Sequence, residues 1–179
     1  VPSGFTKKDA LGFEADISLL RDPNSLPESR IAAVGRLRKN QEHLNADTLL
    51  DILLAEPDNE VGEVIASLLR PMPEHSTAVL RYIRERKPRG NVRIRMSQLF
   101  KGTSRPEELD ILRKFTYDPN SDVRLAAYQA LAKSNSPRAA RLLGIRLPKE
   151  DSKVLRNAIL DGLERIGHNR EASAEILGN

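Results

Sequence analysis

The side chains best suited to chemistry with a partner lie between Arg81 and Lys101. Arg81, Arg84, Arg86, Lys87, Arg89, Arg93, Arg95 and Lys101 stand there against the single carboxylate of Glu85, a local charge of +7. Residues 1–80 carry −5 and residues 102–179 carry +2, so the overall +4 hides an acidic first stretch and a basic middle. A dense positive patch attracts anionic partners and speeds their encounter at low salt. Arginine outnumbers lysine in it, and a planar guanidinium grips carboxylate or phosphate through two parallel hydrogen bonds. Lys87, Arg89, Arg93 and Arg95, with Arg84, are the candidate partner-binding residues.

Residue types that serve catalysis or metal binding are not gathered in this way. His43, His75 and His168 are far apart, and none has the helical spacing to another histidine, beside a glutamate, that a zinc site on one helix needs. Cysteine is absent, which excludes a disulfide framework and a zinc ribbon. Lys101-Gly102-Thr103-Ser104 looks like a scrap of a phosphate loop, but it lacks the preceding glycine and strand. It reads better as the end of one helix and the start of the next. No nucleophile elbow is present. The expectation is a protein without catalytic residues, cofactor or metal. No run approaches the ~20 apolar residues of a membrane span, and the start has no signal-peptide core. The chain reads as soluble, with the cytoplasm as its default compartment.

The elements that position the basic residues follow from an apolar triplet at helical spacing. Val61, Ile65, Leu69; Val92, Met96, Phe100; Val123, Ala127, Leu131; and Leu155, Ile159, Leu163 align without gaps, with Ser29, Ala33, Leu37 as a weaker first copy. Their first residues step by 31 or 32 positions. A fixed period of this size marks a stacked helical array, in which no unit buries its apolar face without a neighbour. Units are expected at about 6–40, 45–71, 74–102, 105–134 and 136–167, each a pair of helices, with a further helix starting at 170. Thr6 and Asp9, then Ser25 and Glu28, have capping-box spacing at helix starts. Leu11, Ile17 and Leu20 mark one face of the first helix. Proline-bearing turns divide the pairs, among them Lys87-Pro88-Arg89-Gly90 and Asp118-Pro119-Asn120. The whole of 1–179 reads as one domain, cut from a longer protein.

The stretch from Asp118 to Leu131 carries a recognisable motif. An acidic residue in the turn is followed six residues later by a basic residue just after the anchor valine. Asp118 and Arg124 match it, and Glu150 and Arg156 match it with glutamate; Asn24 and Arg30 match half. Glu56 is followed by Gly62, and Lys87 by Arg93, so two units depart. In this pattern the chain resembles the HEAT-repeat family, particularly its short units. The resemblance implies an all-α, right-handed α-solenoid of about five stacked helical hairpins with a partial sixth, whose second helices line a concave face. It also implies that Asp118, Arg124, Glu150 and Arg156 form a structural ladder. Arg93, whose own turn offers Lys87 in place of an acid, is expected to lack a ladder partner.

The function expected on these grounds is a protein-binding scaffold or adaptor whose basic centre meets an acidic segment of a partner protein. The alternative is sequence-nonspecific nucleic-acid binding through the same patch, recognisable by a steep loss of affinity with salt. A third reading, a HEAT-like DNA glycosylase, finds little support, since base handling uses aromatic platforms and the chain has no tryptophan. Tyr82 lies among the arginines, but it shares a helical face with Val79 and Arg86, as a packing residue does.

Overall fold

The computed structural model describes the backbone of residues 6–177 and the side-chain surroundings of residues 6–169. Every regular element among these is helical: α1 Lys7–Arg21, α2 Pro27–Leu37, α3 Ala46–Ala55, α4 Asn59–Leu69, α5 His75–Arg86, α6 Gly90–Leu99, α7 Pro106–Phe115, α8 Ser121–Ala132, α9 Pro137–Arg146 and α10 Lys153–Leu177. Short 3-10 segments follow α2 and α9. The helices gather into two compact units, Val1–Val79 and Leu80–Asn179.

In the first unit α2 packs on α1 and α4, and α3 on α4. Ala33, Val34, Leu37, Leu49, Leu53, Val61, Ile65 and Leu69 are almost wholly buried. Each large aliphatic side chain removed from water in this way contributes about 1.5–3 kcal/mol. Thr6 caps α1 through the expected box, its hydroxyl accepting from the Asp9 amide while Asp9 accepts from the Thr6 amide. The second box does not form. Ser25 donates instead to Asp22, and α2 opens at Leu26-Pro27 with no side-chain cap, since Pro27 has no amide to satisfy. Leu11 is 74% exposed and stands off the packed face of α1 that Ile17 and Leu20 define. His75 is buried at the start of α5, with Nδ1 against the Met72 carbonyl at 2.6 Å.

In the second unit α8 is the central element and packs against α6, α7, α9 and α10. Val123, Ala127 and Leu131 are buried on it, facing a core that includes Met96, Phe100, Leu112, Leu143 and Ile159. Small residues set the close spacing. A Cβ on Gly162 of α10 would lie 2.7 Å from Ala132 Cβ and 3.1 Å from Leu143 Cδ1. Gly102 ends α6 with φ +81°, a conformation only glycine adopts without strain, and its amide donates to the Ala130 carbonyl. The break expected near Gly167, with a new helix at 170, does not occur: α10 continues unbroken to Leu177. One glycine lowers helix propensity by only about 1 kcal/mol, and no proline enforces a stop there.

Candidate functional site

The expected basic site is built around the turn joining α5 to α6, and its neighbour is the turn joining α7 to α8. Proline in both turns stops the first helix, and the chain reverses into the second. In the second turn Asp118 is buried and accepts from the Asn120 amide, while Asn120 caps α8 by accepting from the Asp122 amide. In the first turn Lys87 takes φ +43°, a left-handed conformation unusual for a residue with a Cβ. Arg89 stands at the N-cap of α6 without a side-chain capping bond.

Arg93 does not lack a partner. Its Nε lies 2.7 Å from Asp118 Oδ2, its Nη2 donates to Asp118 Oδ1, and its Nη1 donates to the Pro88 carbonyl. The expectation went wrong because it looked for the acid in the turn of Arg93's own pair. The pairing runs forward instead. Arg30 meets Glu56, Arg93 meets Asp118 and Arg124 meets Glu150, each arginine reaching a carboxylate 25 or 26 residues later. The same guanidinium also braces its own turn, Arg124 donating to the Asp118 and Pro119 carbonyls. Arg156 braces its turn through the Glu150 and Asp151 carbonyls.

The Arg124 rung is the most elaborate. Arg124 donates to both Glu150 oxygens, at 3.1 and 3.0 Å, and the fully buried Tyr128 hydroxyl donates to Glu150 Oε2 at 2.8 Å. Arg146 donates to the Tyr128 hydroxyl and lies 4.3 Å over the Tyr117 ring. Burial pushes the Glu150 carboxyl up, but hydrogen bonds from Arg124 and Tyr128 more than reverse this and hold it below its ordinary value. Burial raises Tyr128. Its bond to Glu150 raises Arg124.

Paired helices, proline turns and this forward arginine-to-acid ladder are a repeat architecture, and the comparison with known families agrees. Residues 77–164 match the family model for HEAT repeats. Over these residues the chain is similar to HEAT repeats. No curated protein sequence matches the chain. HEAT repeats commonly serve as protein-interaction scaffolds and are generally non-enzymatic.

Within the HEAT segment the sequence-predicted residues separate into two groups. Arg93 is half-buried and tied to Asp118 and Pro88, and Arg95 lies against Gln98 at 3.3 Å. Arg84, Lys87 and Arg89 are exposed, and no carboxylate among the described residues pairs with them. Tyr82 carries Arg86 at 5.1 Å from its ring centroid. Tyr117, Tyr128 and Arg146 escaped the sequence reading, because nothing in their spacing distinguishes them from other core or surface positions. The forward ladder did leave a signal, the recurrence of a carboxylate 25 or 26 residues after Arg30, Arg93 and Arg124. At the remaining place the sequence has Gly62 and Lys87, so both residue types of a rung are missing together. Among the described residues no cluster of His, Asp and Glu suits a metal ion, and no helix is long and apolar enough to cross a membrane.

Proposed function

We propose that the chain is a non-catalytic protein-binding scaffold, a right-handed α-solenoid of about five hairpins whose basic turn receives an acidic segment of a partner protein. The observation that carries this reading is that Arg84, Lys87 and Arg89 are exposed with no carboxylate partner among the described residues, while Glu56, Asp118 and Glu150, at the place of Lys87 in other turns, are buried in rungs. Lys87 adds to it. A side chain at φ +43° costs about 1–2 kcal/mol relative to glycine, so a cation is kept there against local sterics. In this arrangement Lys87 and Arg89 make first contact, Arg84 and Arg95 widen the patch, and Arg93 holds the turn in place through Asp118.

The test is a titration of a fluorescein-labelled, glutamate-rich peptide at low and physiological salt, against the wild type and a Lys87→Glu, Arg89→Glu variant. Binding that weakens with salt and is lost in the variant supports the reading; equal binding by both proteins sinks it. Nucleic acid is the second reading, favoured by the arginine content of the patch. It calls for a salt slope proportional to the phosphates neutralised. The exposed carboxylates Asp122 and Asp151 beside the two following turns oppose a continuous phosphate chain. They place no such restriction on a peptide with locally clustered acids.

A further inference from the structure

Charge alone gives an interface speed and orientation; affinity concentrates at a few aromatic or arginine anchors near its centre. Around the basic turn the sequence shows no such anchor. In the second unit one exists at Tyr117, the residue immediately before Asp118. Tyr117 is 53% exposed, although one face of its ring lies against a guanidinium. That guanidinium belongs to Arg146, which is itself 9% exposed and fixed from behind by the Tyr128 hydroxyl. The ring is therefore held from one side and open on the other. A tyrosine with few free torsions, already positioned, loses little entropy on binding. Ile145, beside Arg146 in sequence, is 46% exposed and adds aliphatic surface at the end of α9.

One guanidinium joins the basic turn to the residue that follows Tyr117 in sequence. Arg93 reaches back to the Pro88 carbonyl, between Lys87 and Arg89, and forward to Asp118 beside Tyr117. Neighbouring helices pack about 9 Å apart, a step covered by about three residues of extended chain.

We propose that Tyr117, propped by Arg146, is the anchor of the basic surface: an acidic peptide segment whose carboxylates meet Lys87 and Arg89 lays an aromatic side chain on the open face of its ring. This rests on the scaffold reading above and names the partner's second requirement. The exposed carboxylates Asp122 and Asp151, near the two following turns in sequence, repel a continuous phosphate chain, and Ile145 offers aliphatic surface that a peptide can use.

The experiment uses two fluorescein-labelled glutamate-rich peptides, identical except that one has tryptophan and the other alanine about three residues beyond the last glutamate, together with a labelled oligothymidylate. The tryptophan peptide is expected to bind the wild type about fivefold more tightly than the alanine peptide. Tyr117→Ala removes that preference and leaves the alanine peptide's affinity unchanged, while Tyr117→Phe retains the preference. Tyr117→Leu, which keeps apolar cover over Arg146, repeats the test if loss of the ring unsettles the fold. Equal affinity of the wild type for the two peptides overturns the anchor and leaves the basic surface standing. Failure of both peptides to bind overturns the basic surface and the anchor with it. Tight oligothymidylate binding that Tyr117→Ala abolishes assigns the ring to a nucleotide base and overturns the peptide.

Discussion

The turns Lys87-Pro88-Arg89 and Asp118-Pro119-Asn120 occupy the same place in successive helical pairs and have opposite fates. The acidic turn is drawn in: Asp118 is buried, satisfies the Asn120 amide and receives Arg93 from the preceding helical pair. The basic turn points out: Lys87 and Arg89 are exposed and find no carboxylate among the described residues. The two turns differ in backbone as well as in charge, since Lys87 takes φ +43° and Asp118 has no positive φ. An acid at this place completes a rung only where an arginine stands 25 or 26 residues before it, and before Lys87 that place holds Gly62. A lysine there cannot, and its charge remains available.

The largest effect is expected where a rung is most deeply buried. Glu150 is 5% exposed and receives both Arg124 and Tyr128. Glu150→Ala removes the acceptor that Arg124 and Tyr128 share and the carboxylate 3.9 Å from Arg146, and should destabilise the second unit by about 3–5 kcal/mol in urea denaturation. A loss under about 1 kcal/mol would mean that the rung contributes only as an exposed surface pair does. The same residue sets an acid limb. The folded-state value of Glu150 lies below its ordinary 4.5, so its contribution is fully present above pH 4.5 and disappears as pH falls through the lower folded value. Glu150→Gln should flatten that part of a stability-against-pH curve.

Asp118→Ala comes next, with an expected loss of about 2 kcal/mol, because it removes both the acceptor of Arg93 and the bond that shapes the turn. Lys87→Ala, the equivalent change in the basic turn, should move stability by less than about 0.5 kcal/mol. That pair of measurements sharpens the comparison directly. Similar losses at the two positions would show that the basic turn also holds the stack.

Gly162→Ala should cost about 1–2 kcal/mol through overpacking against Ala132 and Leu143. A neutral result would show that α8 and α10 separate easily. This contact also marks what the sequence could and could not disclose. The apolar period located the helices because an apolar anchor must face a neighbour: Val61, Ile65, Val123, Ala127 and Ile159 are buried, whereas Ser29 of the weaker first copy is exposed. A period does not say which partner a polar side chain takes across the stack. Arg93 was therefore read against Lys87, close in sequence, when its acid lies 25 residues ahead. Tyr117 and Arg146 are legible only once α7 and α9 bring them together, since one is an ordinary surface aromatic and the other an ordinary helix-terminal arginine. Leu11 failed for the converse reason, because helical spacing alone does not supply a neighbour to cover it.

The smallest effect tests the comparison from the other side. Lys87 holds φ +43°, a position where glycine is free of the steric penalty that any Cβ incurs. Lys87→Gly should therefore raise stability by about 1 kcal/mol, which thermal unfolding can read as a shift of a few degrees. The same substitution removes one of the exposed cations Arg84, Lys87 and Arg89, which pair with no carboxylate among the described residues, and should weaken the glutamate-rich peptide, most clearly at low salt. A stabilised protein with weakened binding would show that the turn keeps its lysine for contact at the expense of the fold. Stabilisation with unchanged binding would leave Arg84 and Arg89 as the whole of the available charge. Loss of stability would mean that the Lys87 side chain supports the turn, and that the two turns differ less than their charges suggest.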